Sequence, residues 1–207
     1  TSFGDILRVP SSTSSLYEAK ANGADIRVVY GPHDAVELAE KNPDKEVVFF
    51  SIGFETTVPL PAFELAQQPP ENFSVISAHK LVPPAMDLLL TLEDVNIDGF
   101  LLPGHVCAII GSKIFEPYAQ QYRAPMVVGG FEPNEVLISL DMLLRQKLEG
   151  EAKVENAYGS VVRDEGNVEA QKYVKKVFEP CDSAWRGIGT IPDSGLKVRD
   201  EFAQYDA

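Results

Sequence analysis

Glu46-Val-Val-Phe-Phe-Ser-Ile52, followed at once by Gly53-Phe-Glu-Thr-Thr57, is the stretch that decides the fold. A short β-branched and aromatic run without apolar–polar alternation describes a strand covered on both faces, as in a parallel sheet. The glycine and the polar residues after it form a strand-to-helix loop. The same order recurs after Phe73-Ser-Val-Ile-Ser77, Ile97-Asp-Gly-Phe-Leu-Leu102 and Pro125-Met-Val-Val-Gly129, and Asp25-Ile-Arg-Val-Val-Tyr30 is an earlier, more polar candidate. Helices are expected at 33–41, 58–68, 85–92, 134–148 and 167–178. Pro83-Pro84 and Pro133 open two of them, where proline is tolerated in a first turn, and Gly150 closes the longest.

Strands alternating with helices give an α/β fold, a parallel sheet flanked by helices in a Rossmann-like three-layer arrangement, with part of a second α/β domain. The pattern divides the chain into 1–45, a remnant of a first α/β domain, and 46–150, a complete α/β domain with four strands. Residues 151–207 form an extension packing back on the first domain: 151–166 irregular or edge-like, then a helix, then mostly loop from 179 onward.

Composition narrows the function classes. Eighteen basic against 31 acidic residues give a net charge of −13, a field that repels phosphate backbones and argues against nucleic acid as a partner. No apolar run reaches the ~20 residues needed to cross a bilayer, and the first ten residues lack the basic and apolar regions of a secretory signal, so a cytoplasmic protein is expected. Two cysteines, Cys107 and Cys181, lie far apart with no Cys-x-x-Cys pair. They supply neither a four-thiolate zinc site nor an iron–sulfur site.

In a parallel α/β sheet, ligands bind beyond the carboxyl ends of the strands. Glu55, Thr56, Thr57, His79, Lys80, His105 and Glu132 all fall just past an expected strand end and would line one rim. Each has a structural alternative. Thr56 or Thr57 could cap a helix. His79 and Lys80 could bind an anion or start a solvated helix. His105, in Pro103-Gly-His-Val-Cys107, sits at a helix N-terminus where the macrodipole favours a neutral ring fit to ligate a metal or act as a base; a histidine hydrogen-bonded to backbone is the other reading. Cys107 reads as a small buried thiol, with a depressed pKa as the alternative. Trp185 reads as a packing anchor, with Arg186 available to a carboxylate. From the residues alone, a stand-alone small-molecule enzyme using His105 and Glu55 as an acid–base pair stays open, as does a domain that only docks another protein.

Several blocks in order resemble the HypD family of [NiFe]-hydrogenase maturation proteins. They are Phe3-Gly-Asp-Ile-Leu-Arg-Val-Pro10, Gly23-Ala-Asp-Ile-Arg-Val-Val-Tyr30, Val47-Val-Phe-Phe-Ser-Ile-Gly-Phe-Glu-Thr-Thr57, Ser77-Ala-His-Lys-Leu-Val-Pro-Pro84, Pro103-Gly-His-Val106, Gly130-Phe-Glu-Pro133 and Trp185-Arg-Gly187. The resemblance implies a scaffold on which the Fe(CN)2CO unit is assembled with a HypC-type chaperone and a HypE-type cyanide donor, rather than a turnover enzyme. It implies that His105 and Glu55 to Thr57 face a cleft where iron is handled. It also implies a [4Fe-4S] cluster in full-length members, held by cysteines this chain does not contain. The family's Cys-Gly-x-His and Gly-Pro-Gly-Cys-Pro-x-Cys motifs are likewise absent from these residues. The resemblance therefore reads the chain as an internal piece that does not act alone.

Overall fold

Strand pairing divides the chain in a way its periodicity does not announce. The computed structural model describes residues 1–92 and 96–207. In order come α1 (Leu16–Ala21), α2 (Pro32–Lys41), β1 (Val47–Gly53), α3 (Pro59–Ala66), β2 (Phe73–His79), α4 (Val82–Thr91), β3 (Phe100–Pro103), α5 (Gly104–Ile110) and α6 (Glu116–Tyr122). Then follow β4 (Met126–Gly129), α7 (Pro133–Glu149), β5 (Val154–Asn156), α8 (Val168–Val177), β6 (Phe178–Trp185) and β7 (Gly189–Val198). The fold is α/β, with parallel sheets flanked by helices, and no helix among the described residues is long and apolar enough to cross a membrane.

The strands expected to share one sheet over 46–150 occupy two. β1 pairs with β2, from Val47↔Phe73 to Gly53↔His79, whereas β3, β4 and β5 form a separate parallel sheet in that order. Two hydrophobic cores follow from this. The first gathers Phe49, Phe73, Val75 and Leu65 with Val177, Phe178, Leu196 and Tyr205; the second gathers Leu102, Cys107, Phe115, Met126 and Val128 with Met86 and Val162. The first core takes buried residues from Val29 to Tyr205 and the second from Met86 to Val162. The chain leaves the first core after Leu81, enters the second with α4, and returns through α8.

At the return, Gly111 takes φ +89, and a Cβ there would lie 2.1 Å from the Asp164 carbonyl oxygen. Glycine is needed for both reasons. Ser112 Oγ donates to Asp164 Oδ1 at 3.0 Å, and the amide of Asn167 donates to the Ile109 carbonyl at 3.0 Å, fastening the crossing.

Residues 178–207 are not mostly loop. β6 and β7 form an antiparallel hairpin with an irregularity between Cys181 and Ser183, followed by a 3-10 helix over Asp200–Tyr205. Pro192-Asp-Ser-Gly195 carries the residues of a turn. Non-local bonds make it a strand: the Leu81 amide donates to the Ser194 carbonyl at 2.9 Å and Ser77 Oγ to the Leu196 carbonyl at 2.6 Å. The expected strand at 25–30 is, conversely, reduced to a single bridge between Ser2 and Val28.

On α7 most of the apolar residues at helical spacing lie on the surface, with Val136 and Leu143 half-buried. Leu137, Leu140, Leu144 and Leu148 are exposed, while Ser139 and Gln146 are buried. Gln146 ties the helix to the sheet: its Nε2 donates to Glu155 Oε2 at 2.8 Å and its Oε1 accepts from the Lys153 amide at 3.1 Å. Gln146→Ala would leave these half-buried partners without their bonds to the helix, so a loss of about 1 kcal/mol in urea denaturation is expected.

Candidate functional site

The strand-end loops form two rims, because the strands form two sheets. At the first, Gly53 ends β1 with φ +136, and a Cβ there would lie 2.2 Å from Thr57 Oγ1. Thr57 Oγ1 lies 3.0 Å from the Phe54 carbonyl and 3.2 Å from that of Ile52, so the hydroxyl holds the turn itself. It does not cap α3, whose N-cap is Val58 with no side-chain bond. Thr56 is exposed.

Glu55 turns inward and is only 5% exposed. Its Oε1 accepts from the Val82 amide at 2.7 Å, fixing the residue that opens α4, and its Oε2 has no partner. Burial pushes its carboxyl up to about 6, against the pull of backbone N–H groups.

His79, opposite Gly53 in the register, is 2% exposed and belongs to the interior rather than the rim surface. Its Nε2 lies 2.7 Å from Ser51 Oγ, its Nδ1 has no partner, and its ring meets Phe178 edge to face. Burial pushes the imidazole down to about 4, so it stays neutral at physiological pH.

Lys80 is spent on the hairpin. Its Nζ donates to Ser183 Oγ and, at 2.8 Å, to the Ala184 carbonyl, and it sits 5.9 Å above the Trp185 ring. Trp185 packs on Phe54 with ring centroids 6.1 Å apart and donates to Ser194 Oγ at 2.8 Å. Arg186 donates to the Pro10 carbonyl at 3.1 Å and meets no carboxylate among the described residues.

The second rim lies past β3 and β4. His105 is exposed in the first turn of α5 and stacks on Phe131, with centroids 4.0 Å apart and planes inclined by 34°. Phe131 in turn meets Tyr158 at 6.4 Å. Glu132 is the exposed N-cap of α7 in a capping box with Glu135, whose Oε2 accepts from the amides of Phe131 and Glu132 at 2.9 and 3.1 Å. The box sets the loop that carries Phe131 over His105.

No hydrogen bond or ion pair among the described residues joins His105 to Glu55. The first is open to solvent and the second closed away, and the acid–base pair allowed by the sequence has no geometric support. Cys107 is buried in the second core, its thiol pushed up to about 12 by burial, with the Glu55 charge adding to the shift. No group of three or more His, Cys, Asp or Glu among the described residues could hold a metal ion.

Sequence reasoning missed Ser51, which partners His79 from mid-strand, and the Val82 amide, which partners Glu55. Neither carries a residue-type signal: a serine inside an apolar strand and a backbone N–H become site atoms only through register.

These loops sit in a chain whose whole length, residues 1–207, matches the family model HypD, described as the hydrogenase formation hypA family. The chain is 44% identical over 209 residues to a putative hydrogenase expression/formation protein of Methanocaldococcus jannaschii, covering 100% of this chain and 58% of that protein. It is 46% identical over 216 residues to the hydrogenase maturation factor HypD2 of Bradyrhizobium diazoefficiens, covering 99% and 57%. With the hydrogenase maturation factor HypD of Escherichia coli it shares 44% over 211 residues, covering 99% and 56%. The chain thus spans between 56% and 58% of the length of these three relatives. On that match and those identities, the chain belongs to the HypD family of hydrogenase formation proteins.

Proposed function

We propose that the chain serves [NiFe]-hydrogenase maturation as part of the scaffold on which the Fe(CN)2CO unit is assembled, with HypC-type and HypE-type proteins as partners. One observation carries the reading: within a family match over residues 1–207, the family-like blocks at 53–57, 77–80, 103–106 and 130–133 fall at the carboxyl ends of parallel strands. That is where an open α/β sheet handles its ligand.

Iron enters this reading as cargo. His105 offers one imidazole stacked on Phe131, a single donor where iron needs several, so further donors come from the partners or from outside these residues. The two thiols do not fit a [4Fe-4S] cluster, since Cys107 is enclosed in the second core and Cys181 lies on β6.

The test is a chimera of the Escherichia coli relative in which residues 1–207 of this chain replace the matching segment, expressed in a strain lacking its own HypD. Restored hydrogenase activity and co-purification of the HypC-type chaperone are expected. His105→Ala is expected to lower the restored activity about tenfold or more with the protein level unchanged. A chimera that accumulates and binds the chaperone without restoring activity would sink the scaffold reading, as would full activity in the variant for the assigned role of His105.

A further inference from the structure

The two cores meet along a seam where Glu55 leaves β1, Leu81 and Val82 cross into α4, and Ile109, Ile110 and Ile114 close the end of α5 and the turn after it. A cavity of about 310 Å3 lies there. It continues into a shallower groove that shares Glu55, Leu81, Ile110, Ile114 and Pro180 with it. The volume is that of a site for a small organic molecule, about 300–1,000 Å3, and such sites are apolar with few polar groups.

Side chains of Val58, Leu81, Ile109, Ile110, Val174 and Phe178 supply the apolar walls. Of the polar residues, Gln171 is committed through Nε2 to the carbonyls of Ile109 and Glu165, at 2.8 and 2.6 Å. Lys175 lies at the exposed edge and forms no ion pair with Glu55. Glu55 remains. Among the described residues, three buried side-chain polar atoms lack a partner, on Ser2, Glu55 and His79, and of these residues only Glu55 lines the cavity. A buried carboxylate oxygen without a donor is costly and calls for an occupant that supplies one.

We propose that the seam cavity binds a small amine with an apolar body, its ammonium group held by the Glu55 carboxylate and its body by Leu81, Ile110 and Phe178. A purely apolar molecule would leave Oε2 unpaired. An anion would meet Glu55 inside, Asp193 and Glu179 in the groove, and a chain of net charge −13. Glu179 is already answered by Lys197 and Arg199 at 2.8 and 3.1 Å, so those cations are not free to receive one. With its carboxyl pushed up only to about 6, Glu55 is mostly ionised at neutral pH, and among the described residues it forms no ion pair, Lys175 at the exposed edge being the one basic residue that lines the cavity. A protonated amine brings both the missing donor and the missing charge.

The inference does not rest on hydrogenase maturation; either can fail alone, because the test reads binding by the unaltered chain. The 15N-labelled chain is titrated at neutral pH with benzylamine, and with benzoate and benzyl alcohol as controls. Saturable amide shifts at Glu55, Leu81, Val82 and Ile110 with benzylamine, and none with benzoate, are expected. Glu55→Gln, which keeps the acceptor for Val82, is expected to weaken benzylamine at least about tenfold. Ile110→Trp, which fills the cavity, is expected to abolish the shifts. Shifts elsewhere or none, equal binding of benzoate, or undiminished binding by Glu55→Gln would overturn the proposal. If either variant loses its spectral dispersion, the benzylamine–benzoate comparison on the unaltered chain still decides.

Discussion

Phe49→Ala is expected to destabilise the chain by about 3–5 kcal/mol, read as a lower urea midpoint with little change in slope. Phe49 sits in the middle of β1, is 0% exposed, and meets Phe3 edge to face with centroids 5.5 Å apart. Truncation removes the ring from a core that also holds Leu65, Phe73 and Tyr205, and these come from segments too far apart in sequence to close in together. The cost is therefore lost burial plus an unfilled cavity. Leu148→Ala is the internal comparison. That leucine is 86% exposed on α7, and its removal is expected to change stability by no more than about 0.5 kcal/mol. A large loss at Leu148 would mean that the α7 face is covered.

Acidification is expected to expose an opposition between two buried groups. The imidazole of His79 titrates at about 4 in the folded chain against an ordinary 6.5, because burial disfavours its charge. Above 6.5 it is neutral in both states and costs nothing. As pH falls from 6.5 towards 4 the unfolded chain takes up a proton that the folded ring refuses, so stability declines, in total by about 3 kcal/mol. Glu55 acts in the other sense. Its folded value of about 6 lies above the ordinary 4.5, so above 6 the buried charge costs about 2 kcal/mol, and that cost is relieved as pH falls from 6 to 4.5. Across that window the two slopes nearly cancel, and below it the His79 decline stands alone.

Relative to the parent chain, Glu55→Gln is accordingly expected to make stability fall more steeply between pH 6 and 4.5, and His79→Gln to make it rise over that window and to remove the decline between 4.5 and 4. Urea denaturation across that range checks both. Taking differences between variants and the parent chain cancels the paired carboxylates such as Asp98 and Glu179, whose pKa values are lowered by hydrogen bonds from Lys147 and Lys197. Parallel curves for all three proteins would remove the buried-charge account of both residues.

Much of this was legible in the residues. The uninterrupted apolar run at 46–52 specified a parallel strand because period and composition are local, and β1 lies within one residue of it at either end. Prolines at 83 and 133 marked helix starts because their missing N–H is free only in a first turn, and α4 and α7 contain them there. The family-like blocks pointed to HypD without any coordinates. Tertiary structure alone decided which strands share a sheet, since pairing is chosen by burial among remote segments. It alone made a strand of Pro192-Asp-Ser-Gly195, whose local chemistry says turn, through bonds to Leu81 and Ser77. It turned α7 so that Gln146 is inside, bonded to Glu155 and to the Lys153 amide, while four leucines are outside. Glu55, His79 and His105 looked alike in sequence, each a polar residue just past a strand. Water access separates them: burial sets the charge of the first two, solvent surrounds the third, and burial is a property of the segments that fold over a residue rather than of the residue itself.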